Sequence, residues 1–203
     1  MKVDKHIAAS EPDTQDPRII SMNINVHGLQ IRLVNVYSPT NTDGTPAQKD
    51  EFYRKIRKAC ISTEKNRKVI VAGDFNAITS VVLRNLLYNG TSIIEDTTCN
   101  GLRLKQFCRS NKLCMIQSYF DVPLSERFTW FSNDGKTKRV LDYILAEKFV
   151  QQYVTRCGVA SDYKFESDHR LIVTELSTPS TKRARWRTRK SIRNARYSKG
   201  ICQ

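Results

Sequence analysis

The sequence contains no apolar run long enough to span a membrane, and its first residues carry charges where a signal peptide needs an apolar core. Its six cysteines form no CxxC pair and no spacing typical of a zinc finger. Cys60 and Cys108 fall on apolar helical patterns, so we expect free thiols in the core. These absences predict an intracellular protein, with the nucleus as a candidate location.

Acidic residues are missing from one end of the chain. The 203 residues carry a net charge of +14, and residues 182–203 contain nine of the 34 Lys and Arg residues and no Asp or Glu. We call residues 179–203 the basic tail. Its composition favours a polyanionic partner such as nucleic acid, but it equally fits a solvated linker. The rest of the chain is long enough for one sizeable domain and shows no internal repeat.

The most informative stretch is KVIVAGDFNA, residues 68–77. Its apolar run is typical of a strand buried on both faces, and Asp74 and Asn76 follow at the carboxyl end. Phe75 between them is expected to point the other way, because side chains alternate along an extended chain. A carboxylate there can hold a metal ion or take a proton from water, and a carboxamide can steady an anionic oxygen. An Asp–Asn turn that closes an ordinary strand would contain the same residues.

Upstream, the pattern predicts a loose entry and a hairpin. Residues 1–17 are polar and lack periodicity, so we expect a flexible entry segment. Apolar and polar residues then alternate, which predicts a strand, a turn at His27-Gly28 and a second strand over Gln30–Tyr37. Tyr37 is either a core residue with its hydroxyl at the rim or a hydrogen-bond donor to phosphate.

Downstream, strands and helices alternate, which predicts an α/β or α+β layered domain. Thr45 and Gln48 form a capping box at one helix start, and a second helix is predicted over about 101–110. FTWFS, an Asp-Gly turn and RVLDYIL (139–145) predict a second hairpin. Its return strand contains Asp142, whose carboxylate needs a partner because burial of an unpaired charge is costly.

Four segments occur in an order and spacing that resemble the endonuclease/exonuclease/phosphatase family: NVYSPTN (35–41), GDFNA (73–77), FTWFS…RVLDYIL (128–145) and SDHRLI (167–172). Their amino-acid sequences are similar to those of endonuclease domains of non-LTR retrotransposons and to craniofacial development protein 2-like sequences. We assign residues 18–178 to this domain. The resemblance implies a four-layer α/β sandwich with its site at the strand ends, and metal-dependent hydrolysis of phosphate esters.

The resemblance also implies roles for individual residues. Tyr37 is expected to hydrogen-bond the scissile phosphate. Asp74 is expected to orient or deprotonate the attacking water, and Asn76 to steady the same centre. His169 is expected to stabilise the phosphate charge, with Asp142 as its orienting carboxylate.

Further residues are expected to bind substrate and metal. Asn41 and Thr129 are implied substrate contacts, whereas Trp130 beside Thr129 is expected to be a core residue. Asp168 is implied as a metal ligand together with Asp74 and Asn76. Such hard oxygen ligands favour Mg²⁺ or Mn²⁺ over zinc.

The sequence departs from the family at its start. Family members begin with a strand that carries an Asn and a second that carries a metal-binding Glu, and we find no counterpart of either. Glu11 lies in the polar entry segment and does not end a predicted strand. We therefore expect an N-terminally truncated domain that lacks those strands and one metal ligand.

Three functions are compatible with these sequence features. The first is a metal-dependent endonuclease acting on DNA, and the second is an inactive remnant that binds nucleic acid. The third is a lipid or inositol phosphatase. The retrotransposon-like motifs and the positive charge favour the nuclease over the phosphatase, and we expect no membrane partner.

Overall fold

The computed structural model describes residues 7–61, 66–79, 87–88, 91–92, 97–120, 122, 126–160 and 166–177. The strands are β1 (Ile7–Ala9), β2 (Asp13–Asp16), β3 (Ile19–Val26), β4 (Leu29–Tyr37), β5 (Lys68–Asp74), β6 (Leu87–Tyr88), β7 (Thr91–Ser92), β8 (Leu113–Met115), β9 (Trp130–Phe131), β10 (Lys138–Arg139), β11 (Asp142–Glu147), β12 (Val154–Val159) and β13 (Ile172–Leu176). The α-helices are α1 (Pro46–Cys60), α2 (Cys99–Ser110) and α3 (Lys148–Gln151), and Ile116–Tyr119 forms a 3₁₀ turn.

Seven strands form one mixed sheet in the order β1-β3-β4-β5-β11-β8, with β2 also paired to β3. β4 and β5 are parallel, and β5 and β11 are antiparallel. β6–β7, β9–β10 and β12–β13 form separate two-stranded sheets. The α/β prediction is confirmed.

The central strand β5 is buried on both faces, as its apolar run predicts. Val71 packs in one cluster with Ile56 of α1 and Leu104 of α2. Ile70 packs on the opposite face in a cluster that contains Cys157 of β12. The large sheet therefore lies between the helices α1 and α2 on one side and the β12–β13 pair on the other.

Both predicted helix starts form, with one shift. The Thr45 hydroxyl accepts from the backbone N–H of Gln48, and the Gln48 side chain accepts from the backbone N–H of Thr45. α2 begins at Cys99, earlier than predicted. It does so because Thr98 caps it, with its Oγ1 3.2 Å from the backbone nitrogen of Gly101.

The prediction of a flexible entry segment is wrong for Ile7–Ala9 and Asp13–Asp16, which form strands. β1 and β2 both pair antiparallel with β3, and Glu11 lies exposed between them. Both strands are short and largely exposed, so no alternation of apolar residues marks them. Sheet edges of this kind are held by backbone hydrogen bonds, which composition does not encode. Residues 1–6 lie outside the described part of the chain.

The predicted second hairpin is correct only at its tip. β9 and β10 pair as Trp130–Arg139 and Phe131–Lys138. β11 instead leaves the hairpin and inserts between β5 and β8. The apolar run of residues 139–145 fits a central strand with neighbours on both sides, but these neighbours are remote in sequence.

Other predictions concern chemistry more than architecture. Cys60 and Cys108 are free thiols, half-buried and buried respectively, as expected. Among the described residues, no helix has the length and apolar character needed to cross a membrane. The basic tail lies outside the described residues.

Candidate active site

Strand register places three of the expected site residues side by side. Tyr37 at the end of β4 pairs with Asp74 at the end of β5. Asp142 at the start of β11 pairs with Asp74 from the other side. Paired residues of neighbouring strands project from the same face of a sheet, so a phenol and two carboxylates form one row.

Close approach of β4 to β5 beside this row depends on a glycine. Gly73 has φ +137°, and a Cβ built on it would lie 2.0 Å from the carbonyl oxygen of Val36. Such a contact excludes any side chain, and the backbone angle itself favours glycine. The glycine of the GDFN motif is therefore needed for the strand pairing that positions Asp74.

Tyr37 is open to solvent. Its side chain is 53% exposed, so the interpretation as a core residue is wrong. The Arg18 guanidinium lies over its ring at 5.2 Å and donates to its carbonyl oxygen at 3.4 Å. The phenol is thus held at the edge of the site and remains accessible to a ligand.

Asp74 and Asn76 lie in contact just where β5 ends, and Phe75 between them is fully buried. The backbone N–H of Asn76 donates to Asp74 Oδ1 at 2.7 Å. Its side-chain Nδ2 donates to the carbonyl oxygen of Ser38 at 2.9 Å. Asn76 adopts φ 45°, a left-handed conformation that asparagine tolerates.

The expected contact between Asp142 and His169 is present. His169 Nδ1 lies 2.9 Å from Asp142 Oδ2, and Nε2 lies 3.9 Å from Asp74 Oδ2. The hydrogen bond to the Asp142 carboxylate raises the pKa of His169, burial opposes that rise, and the charges of Asp142, Asp74 and Asp168 add to it. The imidazole therefore keeps its positive charge to a higher pH than free histidine.

Burial dominates the ionisation of Asp74. It raises the pKa of this carboxyl to about 6, against an opposing hydrogen bond from the backbone of Asn76. The charges of Asp142 and Asp168 raise the pKa further, and His169 lowers it. A carboxylate whose pKa lies near neutrality is well suited to accept a proton.

Trp130 is a site residue that sequence reasoning missed. The expectation that it belongs to the core is wrong, because it is only half-buried. Its indole Nε1 donates to Asp168 Oδ2 at 2.7 Å, and its backbone bridges to His169. The Phe131 backbone N–H also donates to the carbonyl oxygen of Asp168 at 2.9 Å. The only available signal was chemical, since an indole N–H in a strand needs an acceptor.

The two implied substrate contacts have structural partners here. Thr129 is 1% exposed, and its hydroxyl accepts from the backbone N–H groups of Leu141 and Asp142 at 3.0 and 3.1 Å. It fixes the start of β11, and its contact with phosphate stays a prediction. Asn41 donates from Nδ2 to the carbonyl oxygen of Asn76 at 2.8 Å, so it adjoins the site.

The donor chemistry suits Mg²⁺ or Mn²⁺. Asp74, Asp168 and Asn76 offer hard oxygen ligands. Across the described ranges, however, no group of three His, Cys, Asp or Glu side chains is spaced to hold an ion. Mg²⁺ commonly takes one or two carboxylates and completes its shell with water and substrate phosphates. These residues thus fit an ion that is shared with solvent and substrate.

The sequence matches a known protein family. The family described as endonuclease-reverse transcriptase matches residues 31–173, a span that contains Tyr37, Asp74, Asp142 and His169. The chain belongs to this family. Its fold is that of the endonuclease/exonuclease/phosphatase group, whose nucleases generally use divalent metal ions.

Among curated proteins, craniofacial development protein 2 from Bos taurus is 24% identical over 163 residues, which cover 80% of this chain and 27% of that protein. The chain spans about a quarter of the length of the curated relatives it matches.

Solved structures share the fold at low sequence identity. The endonuclease domain of TRAS1, a telomere-specific non-LTR retrotransposon, aligns with a TM-score of 0.61 and 16% identity, over 86% of this chain and 71% of that one. The 3' phosphatase NExo from Neisseria, bound to product DNA hairpin, aligns with a TM-score of 0.57 and 18% identity, over 87% and 72%.

Proposed function

We propose that the chain carries the catalytic domain of a metal-dependent, DNA-directed endonuclease of retrotransposon origin. The observation that carries this proposal is the series Asp142–His169–Asp74, with contacts of 2.9 and 3.9 Å, beside the exposed Tyr37. Hydrolysis of a phosphodiester requires an activated water and stabilisation of charge on the phosphate, and these side chains supply suitable groups for both tasks.

In this proposal Asp74 accepts the proton of the attacking water. Burial raises the pKa of Asp74 to about 6, so the ionised form still dominates at neutral pH and is more basic than an ordinary aspartate. Asn76 holds Asp74 Oδ1 through its backbone N–H, which leaves Oδ2 directed toward His169.

His169 and Tyr37 are proposed to contact the phosphate. Asp142 binds Nδ1 of His169 and thereby leaves Nε2 on the side of Asp74, where it can offset negative charge. The Tyr37 hydroxyl supplies a second hydrogen bond. Asp74, Asn76 and Asp168 would hold Mg²⁺ or Mn²⁺, which when bound supplies further positive charge at the phosphate.

DNA is favoured as the substrate by charge and by likeness. The chain carries a net charge of +14, and a solved structure of the same fold contains a product DNA hairpin. Basic residues give nucleic-acid binding a strong electrostatic term. A lipid or inositol phosphate would need no such excess of basic residues.

A second candidate is a form that binds nucleic acid without cleaving it. Within the described residues no three acidic, histidine or cysteine side chains are spaced for a metal ion, which favours this candidate. The two proposals differ in catalysis and agree in binding, so cleavage decides between them.

The deciding experiment incubates supercoiled plasmid and an abasic duplex with Mg²⁺ or Mn²⁺. We expect metal-dependent cleavage by the 203-residue chain. The matched control is the same chain with Asp74→Ala, which should be inactive. DNA binding without cleavage by the wild-type chain would favour the second candidate. Cleavage that persists in Asp74→Ala would contradict the assigned base.

The DNA interaction itself is tested by deletion of residues 182–203. Each lost phosphate contact should reduce the slope of log affinity against log salt concentration by about 0.9 on duplex DNA. An unchanged slope would identify the basic tail as a linker.

A further inference from the structure

Asn100, near the start of α2, joins three segments of the candidate site. Its side chain is fully buried, and Nδ2 donates to the carbonyl oxygens of Pro39 at 2.9 Å and Asn76 at 3.1 Å. Its backbone N–H donates to Asn41 Oδ1 at 3.2 Å. One residue therefore connects the loop after β4, the segment after β5 and the start of α2.

The amide is used at this position only as a donor. Both hydrogens of Asn100 Nδ2 point to carbonyl oxygens, whereas no donor among the described residues reaches its Oδ1. A serine could satisfy one of these two acceptors, and an aspartate would place an oxygen against both. The position therefore requires two N–H groups on a short side chain, which is what asparagine provides.

Gly101, which follows Asn100, lets the start of α2 approach the segment after β5 closely enough for the Asn100 side chain to reach it. A Cβ built on Gly101 would lie 2.0 Å from the carbonyl oxygen of Ile78, so the start of α2 lies directly against the segment that follows Asn76. Two hydrogen bonds, both 3.1 Å long, link Ile78 and Thr98 in the same contact. The Asn100–Gly101 pair thus combines close backbone approach with a double donor.

Further hydrogen bonds connect Asn41, a partner of Asn100, to Asn76 and Asp74. Lys49, buried on α1, donates from Nζ to the carbonyl oxygen of Asn41 at 2.8 Å. Asn41 donates to the carbonyl oxygen of Asn76 at 2.8 Å, and the Asn76 N–H holds Asp74 Oδ1 at 2.7 Å. The carbonyl of Asn76 therefore receives two amide donors while its N–H orients the proposed base.

We propose that Asn100 is a positioning residue for the reaction: it fixes Asn41 and Asn76, and through Asn76 it sets the orientation of Asp74. Its role in turnover rests on the proposed function. The ordering of the two loops does not, because it can be measured on a protein with no activity.

Hydrogen exchange tests the ordering. Asn100→Ala should accelerate exchange of backbone amides in residues 38–43 and 74–79. The matched control is Asn111→Ala, which removes one amide hydrogen bond, to the carbonyl oxygen of Phe107 at 2.8 Å, from the other end of α2. This control should accelerate exchange only near residues 107–112. If Asn100→Ala does not fold, Asn100→Ser, which keeps one donor, should show the same pattern more weakly. Unchanged exchange at 38–43 and 74–79 would overturn the proposal.

Turnover tests the positioning role. In a cleaving form of the protein, Asn100→Ala should lower kcat by about 10- to 100-fold with little change in KM, since the groups it orients act on the reacting centre. Asn111→Ala should leave both constants near wild type. Altered exchange with unchanged kcat would overturn the positioning role. If the wild-type forms do not cleave DNA while exchange responds to Asn100→Ala, the proposed function fails and the ordering of the loops stands.

Discussion

The paired strands β5 and β11 carry acidic side chains at both ends, in opposite surroundings. At one end Glu147 accepts from the backbone N–H of Val69 at 3.0 Å and pairs with Lys68 at 3.5 Å. At the other end Asp74 and Asp142 are direct partners in the sheet, and they share contacts with His169. The first end is balanced by a lysine, whereas the second gathers negative charge.

Both ends belong to the same antiparallel strand pair, and the contrast lies in the side chains around them. Burial of Asp74 raises its pKa, the neighbouring carboxylates add to that rise, and shifts of this kind are typical of functional sites. A strand end with an acidic residue is therefore weak evidence of function by itself. The unbalanced charge at the Asp74 end, absent at the Glu147 end, is what singles it out.

The largest expected effect is on kcat, and it distinguishes the Asp74 end of the strand pair from the Glu147 end. In a cleaving form, Asp74→Ala should reduce kcat by about 10³-fold or more, because it removes the proposed base. Glu147→Ala should leave kcat unchanged. Initial rates of plasmid nicking measure both, and equal losses would mean that the contrast concerns folding only.

The next prediction tests whether Asp142 and His169, at the Asp74 end of the strand pair, act as a unit in catalysis. Asp142→Asn and His169→Ala should each lower kcat by about 10²-fold, and the double variant by little more, because each loss disables the same imidazole. A double-mutant cycle measures the coupling. Multiplicative losses would show that the two side chains act independently.

The pH dependence of stability should also distinguish the two ends. The pKa of Asp74 rises from 3.8 to about 6 on folding, so the native state holds a proton more tightly between these values. The free energy of unfolding should therefore fall by about 3 kcal/mol as pH rises through this window. The raised pKa of His169 makes a further contribution, present below 6.5 and lost as pH rises through its folded value.

Asp74→Asn should remove the fall in the free energy of unfolding that ionisation of Asp74 causes. Urea unfolding at pH 4, 6 and 8 measures the change, with exposed Asp134→Asn as the control. A wild-type slope that survives in Asp74→Asn would assign the pH dependence to other groups.

A smaller loss is expected from the indole that holds Asp168. Trp130→Phe keeps a smaller aromatic ring and removes the N–H donor, so kcat should fall by about 10-fold through a less ordered Asp168. Phe149→Leu alters an aromatic ring at the balanced end, where Lys68 lies 5.0 Å from the ring centroid. Its rate should match wild type, and a rate loss as large as that of Trp130→Phe would remove the distinction.

The smallest effect is expected at the balanced end itself. Glu147→Gln keeps a side-chain acceptor for Val69 and loses the ion pair with the partly exposed Lys68. The free energy of unfolding should change by only about 0.5 kcal/mol. A change of several kcal/mol in denaturant unfolding would show that this end, too, depends on its charges.

How far the sequence predicted the molecule depends on how local each pattern is. The strand of residues 68–74 follows from its apolar run, and the proximity of Asp74 to Asn76 follows from their separation of two residues. β1 and β2 could not be predicted, since exposed edge strands need no apolar pattern. The placement of β11 between β5 and β8 depends on remote partners. The contacts of His169 with Asp142 and of Trp130 with Asp168 join distant segments, and only the first was implied by family resemblance.

The antiparallel pairing of Asp74 with Asp142 has a consequence for how the chain folds. It joins positions about 70 residues apart, so the central ladder closes only after most of the domain has been synthesised. Loop closure over such a distance is slow, and the apolar edge of β5 stays unpaired in the meantime. We expect folding on a timescale of about milliseconds to seconds and a need for protection from aggregation during translation. The strand that pairs last with β5 also completes the row of Tyr37, Asp74 and Asp142.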